Sequence, residues 1–143
     1  MAYCTFQDLV IRYGAAELNA AADRDGDGQA DEEIVSAACE DAAAEIDARI
    51  ARRYRLPLEQ VPTIVKLIAC DIARYRLLAD RPHEQAIERY KGAVGLLDAI
   101  AAGTLTLATG ALEPAAAPGD LGIAAEPSLF PPAVKAAFTG GLR

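Results

Sequence analysis

The chain has 143 residues, enough for one domain. It carries 14 Lys and Arg against 21 Asp and Glu, a net charge of −7, and its charged fraction of 24% is that of a globular protein rather than a disordered one. The apolar fraction is 52%, but 32 residues are Ala, so the bulk of a core must come from 15 Leu, 10 Ile, 6 Val, 5 Tyr and 3 Phe. A domain of this size buries enough surface to fold without disulfides or a metal. No apolar run reaches the ~18 residues of a membrane span. The opening run Met1–Asp8 has neither the basic nor the apolar segment of a secretory leader. Cys4, Cys39 and Cys70 are odd in number and far apart, which fits reduced core thiols in a cytoplasmic setting. The single histidine, His83, gives no basis for a His-based metal site or a nucleophile–His pair, and reads as an exposed residue at a helix start. Net acidity argues against a specific nucleic-acid binder.

In chain order, Thr5 is an N-cap with Asp8 as its capping-box partner. Phe6, Leu9, Val10 and Tyr13 follow at helical spacing, and Gly14 supplies a left-handed C-terminal stop. The first helix is therefore expected over 5–13 and a second short one over 15–22. Residues 23–30 alternate Asp and Gly and read as a loop. Asp31 then caps a long helix over 31–53, with Glu32 and Glu33 in its first turn and Arg49, Arg52 and Arg53 near its end, both favoured by the helix dipole. Its apolar positions are Ile34, Ala38, Ala42, Ile46 and Ile50. Leu56-Pro57-Leu58 breaks it, and Pro62 opens a helix over 62–79 that is apolar nearly all round. Such a helix is central in a bundle or covered by a partner subunit. A last helix over 83–102 follows Pro82, with a seam of Ile87, Tyr90, Val94, Leu97 and Ala101, and ends at Gly103.

Beyond Gly103 the character changes: residues 103–143 hold 6 Gly and 5 Pro and no sustained period. Residues 104–108 suggest one short strand, and 133–138 about one and a half helical turns after Pro131-Pro132. The expected organisation is an all-α body of four to five helices over 1–103 and an irregular extended C-terminal arm over 104–143. The arm carries Leu112, Leu121, Ile123, Leu129, Phe130 and Phe138, and is expected to order against a partner subunit.

Charge is unevenly distributed. Residues 1–48 carry a net of −10, residues 49–91 a net of +5, and residues 92–143 a net of −2. Two readings stand. The charges pair within one subunit, or the acidic flank (Glu32, Glu33, Glu40, Asp41) meets the basic flank (Arg49, Arg52, Arg53, Arg55) of the next copy, head to tail, as in a closed ring. In the second reading the apolar helix over 62–79 supplies the affinity. Phosphate contact by Arg49–Arg55 is a weaker reading of the same cluster.

One segment carries recognisable chemistry. Asp23-Arg24-Asp25-Gly26-Asp27-Gly28 has the D-x-D-x-D-G signature, which converges carboxylates on a hard cation such as Ca²⁺. Asp23, Asp25 and Asp27 take loop positions one, three and five, and Gly28 the sharp turn. Gln29 offers its carbonyl, and Asp31 acts directly or through water. The closing position is Ile34 rather than Glu, so Glu33 is the candidate closing carboxylate in a loop one residue short. The plainer reading is an acidic turn that caps the following helix. No second such loop is present, so a structural clip is preferred to a calcium sensor. Asp71, on the apolar helix, reads as a buried ion-pair residue with Arg74, Arg49 or Arg53 as partner, because no acid–base partner or nucleophile accompanies it. No pair of groups is spaced for enzymatic catalysis.

Several strings carry a resemblance. They are Tyr3–Gly14, the Asp-rich loop, Ala44–Leu58 with its Arg-Tyr-Arg-Leu-Pro-Leu, Val61-Pro62, and Cys70-Asp71-Ile72-Ala73-Arg74-Tyr75-Arg76-Leu77. In this order, over about residues 2–108, the chain resembles the small head–tail joining proteins of Mu-like prophages. The resemblance implies a virion structural protein made in the host bacterial cytoplasm, a ring-forming helical connector, and portal and tail or head completion proteins as partners. It implies no enzyme activity and no membrane association. The rival functions are a calcium-dependent protein-binding module and a DNA-contacting packaging factor.

Overall fold

The computed structural model describes residues 2–108, and over them every regular element is helical. The five helices are α1 (Phe6–Tyr13), α2 (Ala15–Ala22), α3 (Glu32–Ile50), α4 (Thr63–Leu77) and α5 (Glu84–Ala102). The expected all-α architecture is therefore the observed one. The expectations for residues 109–143 lie outside the described residues.

Local chemistry sets the helix ends. The Thr5 hydroxyl accepts the Asp8 N–H at 3.2 Å, and the Asp8 carboxylate accepts the Thr5 N–H at 2.9 Å, a complete capping box. Gly14 caps α1 at its C-terminus and α2 at its N-terminus, so no linker separates the two. α3 stops at Ile50, earlier than expected, because residues 51–53 turn to bring Tyr54 inside. Asp31 occupies the N-cap of α3 without capping it: its side chain accepts the Arg24 N–H across the loop instead. His83 is exposed at the start of α5, as expected, and caps it, its Nδ1 accepting the Ala86 N–H at 3.2 Å.

α3, α4 and α5 pack on one another, and the α1–α2 corner closes over α3 and α4. α4 is the central helix, with Val65, Ile68, Ala69, Cys70, Ile72 and Ala73 buried within the subunit. Most of its apolar surface therefore serves the core, while Leu67 and Tyr75 stay half-buried. Small residues let the helices approach: Ala38, Ala42 and Ala43 of α3, Ala69 and Ala73 of α4, and Ala93 of α5 are all buried. They also shift the expected seams. α5 buries Ala86, Ala93, Leu97 and Ile100 instead of Ile87, Val94 and Ala101. α3 buries Val35 ahead of Ile34.

After α5 the chain does not form the expected strand. Residues 104–108 run without regular structure, Leu107 is buried, and its N–H donates to the Tyr54 hydroxyl at 3.1 Å. Gly103 takes the left-handed conformation (φ 85°) that ends α5, and a Cβ there would sit 2.6 Å from the Arg53 guanidinium packed against that end. Gly103→Ala should therefore lose more than ~1 kcal/mol of stability, from backbone strain and displacement of Arg53 together. Denaturant unfolding measures it, and an unchanged midpoint would contradict this account of the cap.

Polar contacts fix how the α1–α2 corner sits. Arg74 of α4 is 5% exposed and pairs with Glu17 of α2 through two bonds, at 2.5 and 2.9 Å. Its guanidinium also stacks on the Tyr13 ring, 4.3 Å from the centroid. The Arg74 hydrogen bond holds the Glu17 carboxyl below its ordinary value of 4.5, against the opposing effect of burial. A depressed carboxyl contributes stability that is complete above pH 4.5 and is lost as pH falls through its folded value. Glu17→Gln should cost about 2 kcal/mol at neutral pH and flatten the loss of stability on acidification below pH 4.5. Melting temperatures of both proteins across that range check the slope.

Candidate functional site

The Asp-rich loop joins α2 to α3 and lies on the surface. Asp23, Asp25 and Asp27 each place a carboxylate oxygen within 4.8 Å of the others, so the structure brings together the first three expected ligands. Backbone donors build the turn. Asp23 accepts the Gly26 N–H at 2.7 Å and the Gly28 N–H at 2.8 Å, Asp25 accepts from Asp27 at 3.0 Å, and Asp27 accepts from Gln29 at 2.8 Å. Gly28 has φ 86°, a conformation that side chains disfavour, which is why the tight turn needs glycine there.

The charges within this turn are unequal. The Gly28 N–H, reinforced by that of Gly26, holds the Asp23 carboxyl below the usual range despite some desolvation. For Asp25, the Asp27 N–H acts downward, but desolvation, the Asp27 and Asp31 charges and the bond to Asp23 outweigh it and push the carboxyl up. Three carboxylates so placed repel one another, and a hard cation at their centre would relieve that repulsion. The donor set therefore fits Ca²⁺ at loop positions one, three and five.

Of the other expected carboxylate ligands, neither Asp31 nor Glu33 is part of that group. Gln29 is exposed, and its N–H is directed to Asp27. Asp31 closes the loop by a hydrogen bond to Arg24 at 3.1 Å. Glu33 is in the first turn of α3 and lines a surface groove with Ala21, Arg24, Ile34, Asp41 and Arg76.

The charged flanks sort into two kinds. Part of the charge is matched within the subunit: Arg49 pairs with Asp98 at 2.7 Å and Glu45 at 3.6 Å, and Arg76 pairs with Glu45 at 2.8 Å. Arg53 is packed at the end of α5. Arg49 and Arg53 are thus engaged within the subunit, although Arg49 stays partly exposed. Glu32, Glu33, Glu40 and Asp41 on α3, and Arg52 and Arg55 beyond its end, are exposed and form no ion pair with the described residues. Over 19 residues α3 spans about 28 Å, with the unmatched Glu32 and Glu33 at its start, Glu40 and Asp41 near its middle, and Arg52 and Arg55 beyond its end.

A second cluster forms around Asp71, buried and ion-paired as expected but with other partners. Asp71 is 8% exposed and accepts the Tyr13 hydroxyl at 2.5 Å, with Arg89 of α5 at 3.7 Å. Its partners are therefore neither Arg74 nor Arg49 or Arg53. Burial, reinforced by Asp71, raises the Tyr13 hydroxyl above its ordinary range, so it stays protonated as the donor. His83 lies beside Glu17 and Arg74, with Nε2 at 3.9 Å and 3.3 Å from them. The sequence signal was the placement of Asp71 and Arg74 three residues apart on an apolar helix. That spacing puts both on one side, but it does not say that each reaches out to another helix. With Asp71 so engaged, the cluster reads as structural. No described helix is long and apolar enough to cross a membrane.

Comparison with known proteins gives the chain its relatives. The family described as Bacteriophage Mu, Gp36 matches residues 3–125. The Mu-like prophage FluMu protein gp36 of Haemophilus influenzae is 34% identical over 105 residues, 73% of this chain and 74% of the relative. Gene product J of Escherichia phage Mu is 35% identical over 101 residues, 70% of this chain and 72% of the relative. The match takes in all five helices, the acidic loop and the Glu17–Arg74 contact, and the chain belongs to the phage Mu Gp36 family.

Proposed function

We propose that this protein is a non-enzymatic structural part of a phage virion that joins head to tail. Copies assemble head to tail into a ring, and the loop over 23–31 acts as a calcium-binding clip. Membership of the phage Mu Gp36 family carries the phage assignment. The charge polarity along α3 supports the mode of assembly, since a rod acidic toward one end and basic beyond the other is complementary to its own copy. Portal and tail or head completion proteins are the partners such a part would meet. In a phage lacking the gene, filled heads and free tails should accumulate unjoined. Normal joined particles would overturn the reading.

Exposed ion pairs contribute well under ~1 kcal/mol each, so the flanks would orient copies rather than hold them. Raising the salt should weaken self-association. Arg52→Glu with Arg55→Glu should weaken it about tenfold, and Glu32→Lys with Glu33→Lys should partly restore it. Light scattering or sedimentation reads the outcome. Association that is indifferent to salt and to both charge reversals would remove the head-to-tail contact.

In the clip, Asp23, Asp25 and Asp27 hold the ion and tie the end of α2 to the start of α3. A ligand that binds only the folded chain raises its stability. Calcium should therefore raise the melting temperature, a chelator should reverse the rise, and Asp25→Ala should abolish it. Identical melting curves with calcium and chelator would refute the clip. Chelation that leaves melting unchanged but stops partner binding would instead favour a calcium-dependent binding module.

A further inference from the structure

The groove beside Glu33 continues across the molecule. Its larger part is a cavity of about 380 Å³ with Ile34, Ala37 and Leu77 in its wall. A second part, of about 330 Å³, opens over Tyr75, Ala79 and Tyr90. The two share Asp41 and Arg76, so together they lead from the end of α2, between α3 and α4, to α5. Tyr75 and Tyr90 are stacked there, with ring centroids 4.2 Å apart and planes within 12° of parallel. Glu45 fixes this platform, accepting the Tyr90 hydroxyl at 3.0 Å and Arg76 at 2.8 Å. Arg24 and Glu33 on the rim are exposed and form no ion pair with the described residues. A groove with apolar walls and a fixed aromatic pair suits an extended peptide that contains proline. Proline rings pack on aromatic faces, and the polyproline conformation loses little freedom on docking.

The chain carries such a peptide beyond the described residues. Pro127-Ser128-Leu129-Phe130-Pro131-Pro132-Ala133-Val134 has no charge, with Glu126 before it and Lys135 after it. We propose that this segment docks in the groove of its own subunit. Leu129 and Phe130 meet the wall of Ile34, Ala37 and Leu77, and Pro131-Pro132 covers the Tyr75–Tyr90 pair. Removing both apolar surfaces from water supplies the affinity. The rim charges of Arg24 and Glu33 are complementary in kind to Glu126 and Lys135. The tether is long enough. Leu107 is held at the Tyr54 hydroxyl, just past the end of α3. Ile34 to Ile50 is about 24 Å along that helix, and residues 108–128 extend to roughly 70 Å at most. Tethering makes the docking intramolecular, which favours it over capture of the same segment from a second copy.

The test uses the full chain at micromolar concentration, with Phe130 replaced by photoreactive benzoylphenylalanine. Ordinary and heavy-nitrogen chains are mixed before irradiation, and the cross-linked peptides are identified by mass spectrometry. Cross-links should fall within residues 34–41 and 75–79, both peptides carrying the same isotope. Ala37→Arg fills the exposed wall of the groove and should lower their yield about tenfold. Leu129→Ser, which leaves the helical body untouched, should also lower it, so the result does not depend on how the Ala37 variant folds. Cross-links of mixed isotope would assign the groove to a second copy. Cross-links scattered over other faces would remove the site, and a yield indifferent to both substitutions would remove the contact. Each of these results overturns the proposal.

Discussion

A cation held almost out of water organises this fold. Arg74 stands on the central helix at 5% exposure, where an unmatched charge would be strongly destabilising. It is tolerated because Glu17 meets it with both carboxylate oxygens and the Tyr13 ring covers it. Those partners come from α2 and the end of α1, so satisfying one guanidinium fixes where the corner of the molecule must dock. The hydroxyl of Tyr13, the last residue of α1, then donates to Asp71, one helical turn from Arg74 on α4. Arg89 from α5 completes the group. Apolar burial supplies most of the stability, at about 1.5–3 kcal/mol for each large core side chain. The polar group ties α1, α2 and α5 to α4 through side chains that each need a partner.

What the sequence disclosed follows the range of the forces involved. Helix existence, the Thr5–Asp8 box and the stop at Gly103 depend on neighbours within a turn, and each stands where expected. The acidic triplet was legible for the same reason, since its three carboxylates and two glycines lie within six residues. Seams were less legible. Alanines flank the large residues on α3 and α5, so two adjacent stripes are almost equally apolar, and the closer helix approach selects the alanine-bearing one. Partners of Asp71, Arg74 and Tyr54 were not legible at all. Each contact joins residues far apart in the chain, and a single sequence does not register that distance.

The charges on α3 separate two uses of the same residue types. Glu32, Glu33 and Arg49 sit where the helix dipole favours them, so the helix alone accounts for their placement. Glu40 and Asp41 lie well past the first turn, exposed, beyond the reach of that stabilisation. Arg52 and Arg55 follow the helix in a turn that the buried Tyr54 holds in place. These residues do nothing evident for the subunit that carries them. The proposed head-to-tail contact would draw on these residues, since their polarity is complementary to that of a second copy.

Gly14 closes one helix and opens the next with nothing between. An α-helix turns about 100° per residue. One residue added at this joint would therefore rotate α2 by more than a quarter turn, carrying Leu18 and Ala22 out of the core and Glu17 away from Arg74. The joint behaves like the frame of a reading register, indifferent to many substitutions and intolerant of any change in count. One residue more or fewer in the exposed turns over 24–29 would by contrast leave every helix face where it was, and would disturb only the spacing that gathers Asp23, Asp25 and Asp27.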